Sequence, residues 1–262
     1  MNEAELVLTH VLNCDRLSLY LNKDINLGRE ESALVSLILK RRIFGEPVQY
    51  ILGTSEFMGL EFKVDKRALI PRPETEILVE QALGKLKAMG IASPKVLDCG
   101  TGSGCIAVAI ARLLPQADVW AADISIEALQ LAKENACLNN VEVKFIQGDL
   151  FNTLKPGGSR FDLIISNPPY LSTRQLSSLA KEISFEPVLA LDAGVDGLDF
   201  YRRIISQAPA YLEKGGLLAF EVGINQADSV KELLEKEEFD GLEIIKDYNN
   251  IQRVLIAKKR NV

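Results

Sequence analysis

The sequence predicts an α/β fold with a seven-stranded, mostly parallel sheet, and three observations carry that prediction. From residue 95 to residue 170, short apolar runs alternate with helical patterns, as βαβ units do. Four successive runs end in a residue suited to a ligand: the glycine cluster Gly100, Gly102 and Gly104, then Asp123, then Gly148 with Asp149, then Asn167. Two last runs, 242–246 and 254–259, follow each other with no helix between them, which predicts an antiparallel edge. In open sheets of this class ligands bind beyond the carboxyl ends of the strands.

Residues 1–49 predict a small helical bundle. Apolar residues recur at helical spacing from Ala4 to Leu12, and again from Glu30 to Arg42. The second run starts on acids and ends on Lys40, Arg41 and Arg42, matching the macrodipole. Gly45 and Pro47 stop it. The basic triplet reads as a solvated helix end. So short a bundle has little core of its own and is expected to dock on the rest of the chain.

Residues 50–70 alternate around Met58 and Gly59 and predict a β-hairpin linking the bundle to a larger domain, 71–262. Pro71, Arg72, Pro73, Glu74, Thr75 and Glu76 open a helix, with proline in its first turn and acids behind it. That helix is expected to run to Met89, with Gly90 ending it. A strand then leads into Gly100, Thr101, Gly102, Ser103 and Gly104, where glycines let backbone N–H groups approach a ligand at a helix start. The spacing is not the dinucleotide GxGxxG. Asp123 closes the second strand, where a carboxylate accepts hydrogen bonds from ribose hydroxyls. Ser125 caps the next helix. A third strand is expected over 141–147 and a fourth over 161–165. A short helix is expected over 171–181, a loop-rich lid or turn cluster over 185–197, a helix over 200–212, a strand over 216–223 and a helix over 227–238.

The fourth strand runs into Asn167, Pro168, Pro169 and Tyr170. Neither proline has an N–H to give, so sheet pairing ends there. The Asn167 side-chain oxygen and the Pro168 carbonyl are both acceptors. Together they can take both hydrogens of one planar –NH2 and help free its delocalised lone pair for an electrophile. The Tyr170 ring offers a flat face for a planar substrate. The plain alternative is a strand followed by a rigid turn.

Composition narrows the classes. The chain has 262 residues, 47% hydrophobic and 25% charged, ordinary for a globular protein. No apolar run nears the ~20 residues of a membrane span, and the acidic start Met1 to Glu5 is not a secretory n-region, so a cytoplasmic protein is expected. Cys14, Cys99, Cys105 and Cys137 are widely spaced and stand with the single His10, so no metal-ligand pattern forms. The same scarcity argues against a Cys–His hydrolase. A net charge of −6 is a poor footprint for a protein that grips nucleic acid. No additional apolar stripe is evident, and a monomer is expected.

Seven strands in this order resemble the Rossmann-like fold of S-adenosylmethionine-dependent methyltransferases. The stretch from Asp98 to Gly104 resembles their first motif, and Asn167 to Tyr170 resembles the fourth motif of those that modify amino groups. Together with residues 70–76 and the hairpin around Phe57, the whole chain resembles the release factor glutamine methyltransferase, or HemK, family. The departures are Cys99, where the family often has Leu, and Leu150, where an aromatic covers adenine. The resemblance implies methylation of the side-chain amide nitrogen of the glutamine in the Gly-Gly-Gln motif of peptide-chain release factors. It implies S-adenosylmethionine as donor, S-adenosylhomocysteine as product and no metal. Residues 1–49 would recognise the substrate. Gly100, Thr101, Gly102, Ser103, Gly104, Asp123, Leu150 and Asn167 would bind cofactor. Asn167, Pro168 and Tyr170 would be catalytic, with Pro169 and Phe57 joining them around the glutamine. The rivals are a methyltransferase acting on an exocyclic amine of adenine or guanine, and a catalytically silent nucleotide-binding module.

Overall fold

The computed structural model describes residues 2–22, 25–154 and 158–260. Four helices come first: α1 (Glu3–Leu12), α2 (Arg16–Leu21), α3 (Arg29–Ile43) and α4 (Val48–Leu52). Asn2 caps α1 in a reciprocal arrangement with Glu5, so two otherwise orphaned backbone donors find partners. Among the described residues, the apolar cluster between these helices is small, with Val7, Ile38 and Val48 buried. Arg42 fastens the bundle on two sides, to Glu3 and to Glu182 far along the chain. The basic triplet is therefore not wholly solvated: Arg41 also pairs with Glu46.

The hairpin is shorter than expected. Residues 50–52 finish α4, and Gly53 ends it in the left-handed region. Strands β1 (Thr54–Phe57) and β2 (Leu60–Lys63) pair antiparallel across Met58 and Gly59, both at positive φ, the geometry of a two-residue hairpin turn. Helix α5 (Pro73–Met89) comes after it, with proline in its first turn and Gly90 at its end.

The large sheet contains β3 (Lys95–Cys99), β4 (Asp118–Asp123), β5 (Lys144–Gln147), β6 (Phe161–Ser166), β7 (Leu212–Glu221), β8 (Phe239–Lys246) and β9 (Gln252–Lys259). The spatial order is β5-β4-β3-β6-β7-β9-β8. β9 runs antiparallel to both its neighbours and the other pairs are parallel. This is the predicted α/β architecture with its antiparallel edge. The order reverses between β3 and β6, so their carboxyl ends flank a natural crevice.

Alternate residues feed the two faces of the sheet. Val96, Val119, Leu163, Ile165, Ala219 and Ile256 face α5 and α6 (Cys105–Leu113). Leu97, Ala122, Ile164, Leu218, Phe220 and Leu255 face α9 (Asp199–Gln207) and α10 (Ala227–Glu235). Each fully enclosed Leu, Ile or Phe contributes roughly 1.5–3 kcal/mol of transfer free energy.

Some boundaries differ from those expected. β5 starts three residues late, because the Val141 N–H instead bonds the Ala136 carbonyl and closes α7 (Ile126–Leu138). The helix expected over 171–181 shrinks to α8 (Thr173–Leu176), since Leu171 makes an isolated bridge with Asp192. The helix expected over 200–212 stops at Gln207, where Pro209 forces a single 3₁₀ turn.

Candidate functional site

A cleft of about 290 Å³ opens at the carboxyl ends of β3, β4 and β6, near the lower end of the range for small-molecule sites. Gly100, Thr101, Gly102, Ser103, Asp123, Leu150, Asn167, Pro168 and Pro169 line it. Residues separated by up to 69 positions therefore meet, as the succession of strand ends predicted.

The glycine turn is built by backbone geometry. Gly100, Gly102 and Gly104 all have positive φ. Its chain neighbours aside, no heavy atom of the described residues lies within 4 Å of where a Cβ at Gly100 would stand, so space is open there. At Gly104 a Cβ would meet the Ala132 Cβ at 2.9 Å and its Cα at 3.1 Å, so α6 and α7 touch because the residue is glycine. Gly104 serves as this contact and does not itself line the cleft. The Gly100 and Thr101 N–H groups donate to the Ala122 carbonyl, at 2.8 and 3.0 Å.

Asp123 accepts from the Gly102 N–H at 2.8 Å and the Ser125 N–H at 2.9 Å. Each oxygen keeps lone-pair capacity for a further donor. Burial raises its pKa, and these backbone donors oppose the rise. Beneath the turn, Asp98 is fully buried and accepts from the Thr101 hydroxyl at 2.6 Å, while its Oδ1 has no hydrogen-bond partner among the described residues. Burial pushes Asp98 up to about 7. Leu150 stands at the cleft wall with φ 55, largely buried beside the fully buried Phe151.

The Asn-Pro-Pro-Tyr segment leaves β6 as predicted. Asn167 donates through Nδ2 to the Thr75 hydroxyl at 3.1 Å. Thr75 Oγ1 lies 2.5 Å from Glu221 Oε2, and both residues are buried. Burial pushes Glu221 up to about 7, opposed by the Thr75 hydroxyl and by Arg253. Tyr170 does not line the cleft. Its carbonyl accepts from Gln226 at 2.8 Å, and its ring lies in the field of Glu221, Arg253, Arg72 and Glu74. Burial pushes its hydroxyl up to about 12.

Phe57 requires a correction. Its ring is 1% exposed and meets Phe62 edge-on at 6.0 Å, inside the core under α5. No face remains for a substrate. Alternation predicts that the two sides of a hairpin differ but not which side meets the body of the protein.

Other positioning residues carried no clear sign in the sequence. Glu76 accepts from the Met58 N–H at 2.6 Å and holds the hairpin tip to α5. Arg72 pairs with the buried Glu186 at 2.5 Å, drawing the segment after the prolines over the cleft. Pro187, Leu189 and Ala190 from that segment join the lining, which bears out the expected turn cluster. Asn135 is fully buried: its oxygen accepts from the Lys63 N–H at 2.7 Å, and its nitrogen donates to the carbonyls of Lys63 and Ser103, at 3.1 and 2.8 Å. The one available signal for Glu221 was its position, an acid ending an apolar run as Asp123 does.

Open backbone at the glycine turn, a strand-end carboxylate and an asparagine facing them across one cleft suit a nucleoside-bearing ligand beside a planar polar group. Two family models match the chain: a methyltransferase small domain over residues 74–194, and a PrmC N-terminal domain over residues 1–53. A release factor glutamine methyltransferase of Geobacter sulfurreducens is 46% identical over 97% of this chain and 87% of its own length. One from Thermodesulfovibrio yellowstonii is 41% identical over 99% and 92%. Among solved structures, a methyltransferase from Pyrococcus furiosus aligns with a TM-score of 0.57 and 19% identity, covering 86% of this chain and 99% of that one. The 16S rRNA N2 G1207 methyltransferase of Thermus thermophilus aligns at 0.55 and 21%, over 79% and 50%. At those identities the two structures speak for the fold alone. The similarity to the curated relatives runs through both the helical bundle and the sheet, and the chain belongs to the release factor glutamine methyltransferase family.

Proposed function

We propose that this protein methylates the side-chain amide nitrogen of the glutamine in the Gly-Gly-Gln motif of peptide-chain release factors, with S-adenosylmethionine as donor and S-adenosylhomocysteine as product. The supporting observation is Asn167 beside the glycine turn, in a chain 46% identical to a relative named for that reaction. When bound, the cofactor supplies an electrophilic methyl on a sulfonium that leaves as a neutral thioether. The donor set fits it. The turn from Gly100 to Ser103 borders the methionine part, Gly104 being withdrawn from it, and Asp123 retains acceptors for the ribose. Leu150 gives an apolar wall for the adenine. The Asp123 carboxylate on the cleft wall suits its positive charge.

On the substrate side, Asn167 Oδ1 and the Pro168 carbonyl accept the two hydrogens of the target –NH2. One of those hydrogens departs to solvent water as a proton when the new N–C bond forms. Pro169 borders the glutamine, and Tyr170, which does not line the cleft, and Phe57 are both withdrawn from that role. Positioning accounts for most of the rate enhancement.

Residues 1–49 act as the substrate-recognition domain, 50–70 as its hairpin link and 71–262 as the transferase domain. Exposed Leu17, Tyr20, Leu37 and Phe44 on the helices support the first assignment. The net charge of −6 favours a protein substrate over a nucleic acid. The protein works as a monomer in the cytoplasm and without stable nucleic-acid binding.

The test is mass spectrometry of an unmodified release factor after incubation with the protein and S-adenosylmethionine. One added methyl on the Gly-Gly-Gln glutamine is expected. Bound cofactor with no such mass gain overturns the substrate assignment.

A further inference from the structure

An asparagine side chain can hold an –NH2 donor only if its oxygen points at that donor. Its nitrogen, turned the same way, would repel it. The two ends of the amide are nearly the same size, so shape alone does not choose between them. Something must fix the orientation, and the structure contains such a device behind Asn167.

Asn167 Nδ2 donates to Thr75 Oγ1 at 3.1 Å. The same Thr75 oxygen lies 2.5 Å from Glu221 Oε2. The bond runs from the Thr75 hydroxyl to Glu221 Oε2, the one direction open to it while the Glu221 carboxyl is ionised. With its proton committed, the Thr75 oxygen can only accept from Asn167. That selects the nitrogen end of the amide for Thr75 and leaves Oδ1 for the cleft. Both anchoring residues are enclosed: Thr75 is 2% exposed and Glu221 1%, so bulk water does not compete for these atoms.

The three residues come from three elements. Thr75 is the third residue of α5, fixed there by its N–H bond to the Arg72 carbonyl. Glu221 is the last residue of β7, and Asn167 directly follows β6, the strand beside it. Placing an acid at the end of an apolar strand is costly unless it is used.

We propose that Thr75, anchored by Glu221, is a positioning residue that sets the direction of the Asn167 amide and so presents an acceptor to the substrate –NH2. This rests on Asn167 being the acceptor for the target amide. Thr75 touches no reacting atom and acts through Asn167.

The test compares Thr75→Val, which keeps the shape and removes the hydroxyl, with Thr75→Ser, which keeps the hydroxyl. Turnover is measured on an unmodified release factor, and S-adenosylmethionine affinity by calorimetry. Thr75→Val is expected to lower kcat about 30- to 100-fold, the scale of a lost preorganised contact, with cofactor affinity within about twofold. Thr75→Ser is expected to stay within about threefold of wild type. Glu221→Met, whose thioether is only a weak acceptor, is expected to lower kcat at least about tenfold by the same logic. Wild-type turnover in Thr75→Val, or equal losses in the valine and serine variants, overturns the proposal. Wild-type turnover in Glu221→Met removes Glu221 from it. If Thr75→Val does not fold, Thr75→Ala removes the same hydroxyl and is judged alike.

A second measurement does not depend on the substrate. In atomic-resolution crystal structures, wild type is expected to show Asn167 Nδ2 on Thr75 and Thr75→Val a reoriented amide. An unchanged amide in the variant overturns the relay. If wild type leaves the release factor unmethylated, the functional reading falls, and the relay is decided by this comparison alone.

Discussion

The helical bundle and the cleft treat polar side chains in opposite ways. Around the cleft, Thr75, Asp98, Thr101, Ser103, Asn135, Ser166, Glu186 and Glu221 are all buried and polar. Among the described residues of the bundle, only Glu5 is. Exposed large apolar residues are denser in the bundle, with Leu17, Tyr20, Leu21, Leu37, Ile43 and Phe44 all open to solvent, while Ile124 and Leu189 are exposed at the cleft. One region spends stability on fixed polar groups, as preorganised sites do. The other keeps a minimal core and leaves its apolar surface outside, as recognition surfaces do. The difference teaches where rigidity is needed: at the amide and the cofactor, not along the whole substrate.

Substitutions can sharpen that contrast. The largest effect is expected at Asn167. Asn167→Ala removes the acceptor the cleft is built to aim, and methyl transfer should fall about 10³-fold, on the scale of a lost oxyanion-type contact. Cofactor affinity should change by only a few-fold. Near-wild-type turnover would take Asn167 out of the reaction.

Gly104→Ala comes next. The new Cβ must displace Ala132 while keeping a positive φ, for a combined cost of roughly 2–4 kcal/mol. Thermal unfolding should show a Tm drop of several degrees. A stability unchanged from wild type would mean that α6 and α7 separate easily.

Glu221→Gln tests the cost of burial. The Glu221 pKa is raised in the folded state, so the folded protein binds more protons than the unfolded chain between about 4.5 and 7. Its contribution to stability is therefore largest below about pH 4.5 and is lost as pH rises to about 7. Glu221→Gln should accordingly gain on wild type as pH rises through that window, by up to a few kcal/mol. Parallel pH–stability curves for the two proteins would contradict this.

The smallest effect belongs to the bundle. Arg42→Ala cuts its ties to Glu3 and Glu182, which are partly exposed and together contribute about 0.5 kcal/mol. Global Tm should hardly move, and KM for the release factor should rise a few-fold with kcat unchanged. A fall in kcat would mean that the bundle reaches into the chemistry.

The features that could be read from the sequence were those written in short spans. Glycine spacing, strand-end acids and the double proline all act on their immediate neighbours, so the cleft and its sheet were legible. Thr75 was not, because its meaning depends on partners 92 and 146 positions away. A lone threonine in a helix start looks the same whether it caps, packs or steers. Asn135 was hidden likewise, as a polar residue inside an amphipathic helix whose partner lies 72 positions off. Phe57 was misjudged because the hairpin pattern alone does not say which face is covered.

Asn135 has a thermodynamic consequence. One side-chain amide holds both the backbone of Lys63 on the hairpin and the Ser103 carbonyl on the glycine turn. Whatever orders the turn must also restrain the hairpin, so cofactor loading should slow hydrogen exchange at the Lys63 amide. Linkage makes this reciprocal: a substrate that braces the hairpin raises cofactor affinity by the factor that cofactor raises substrate affinity. Two ligands that meet only at one transferred methyl can thereby each report the other's presence through a single buried amide.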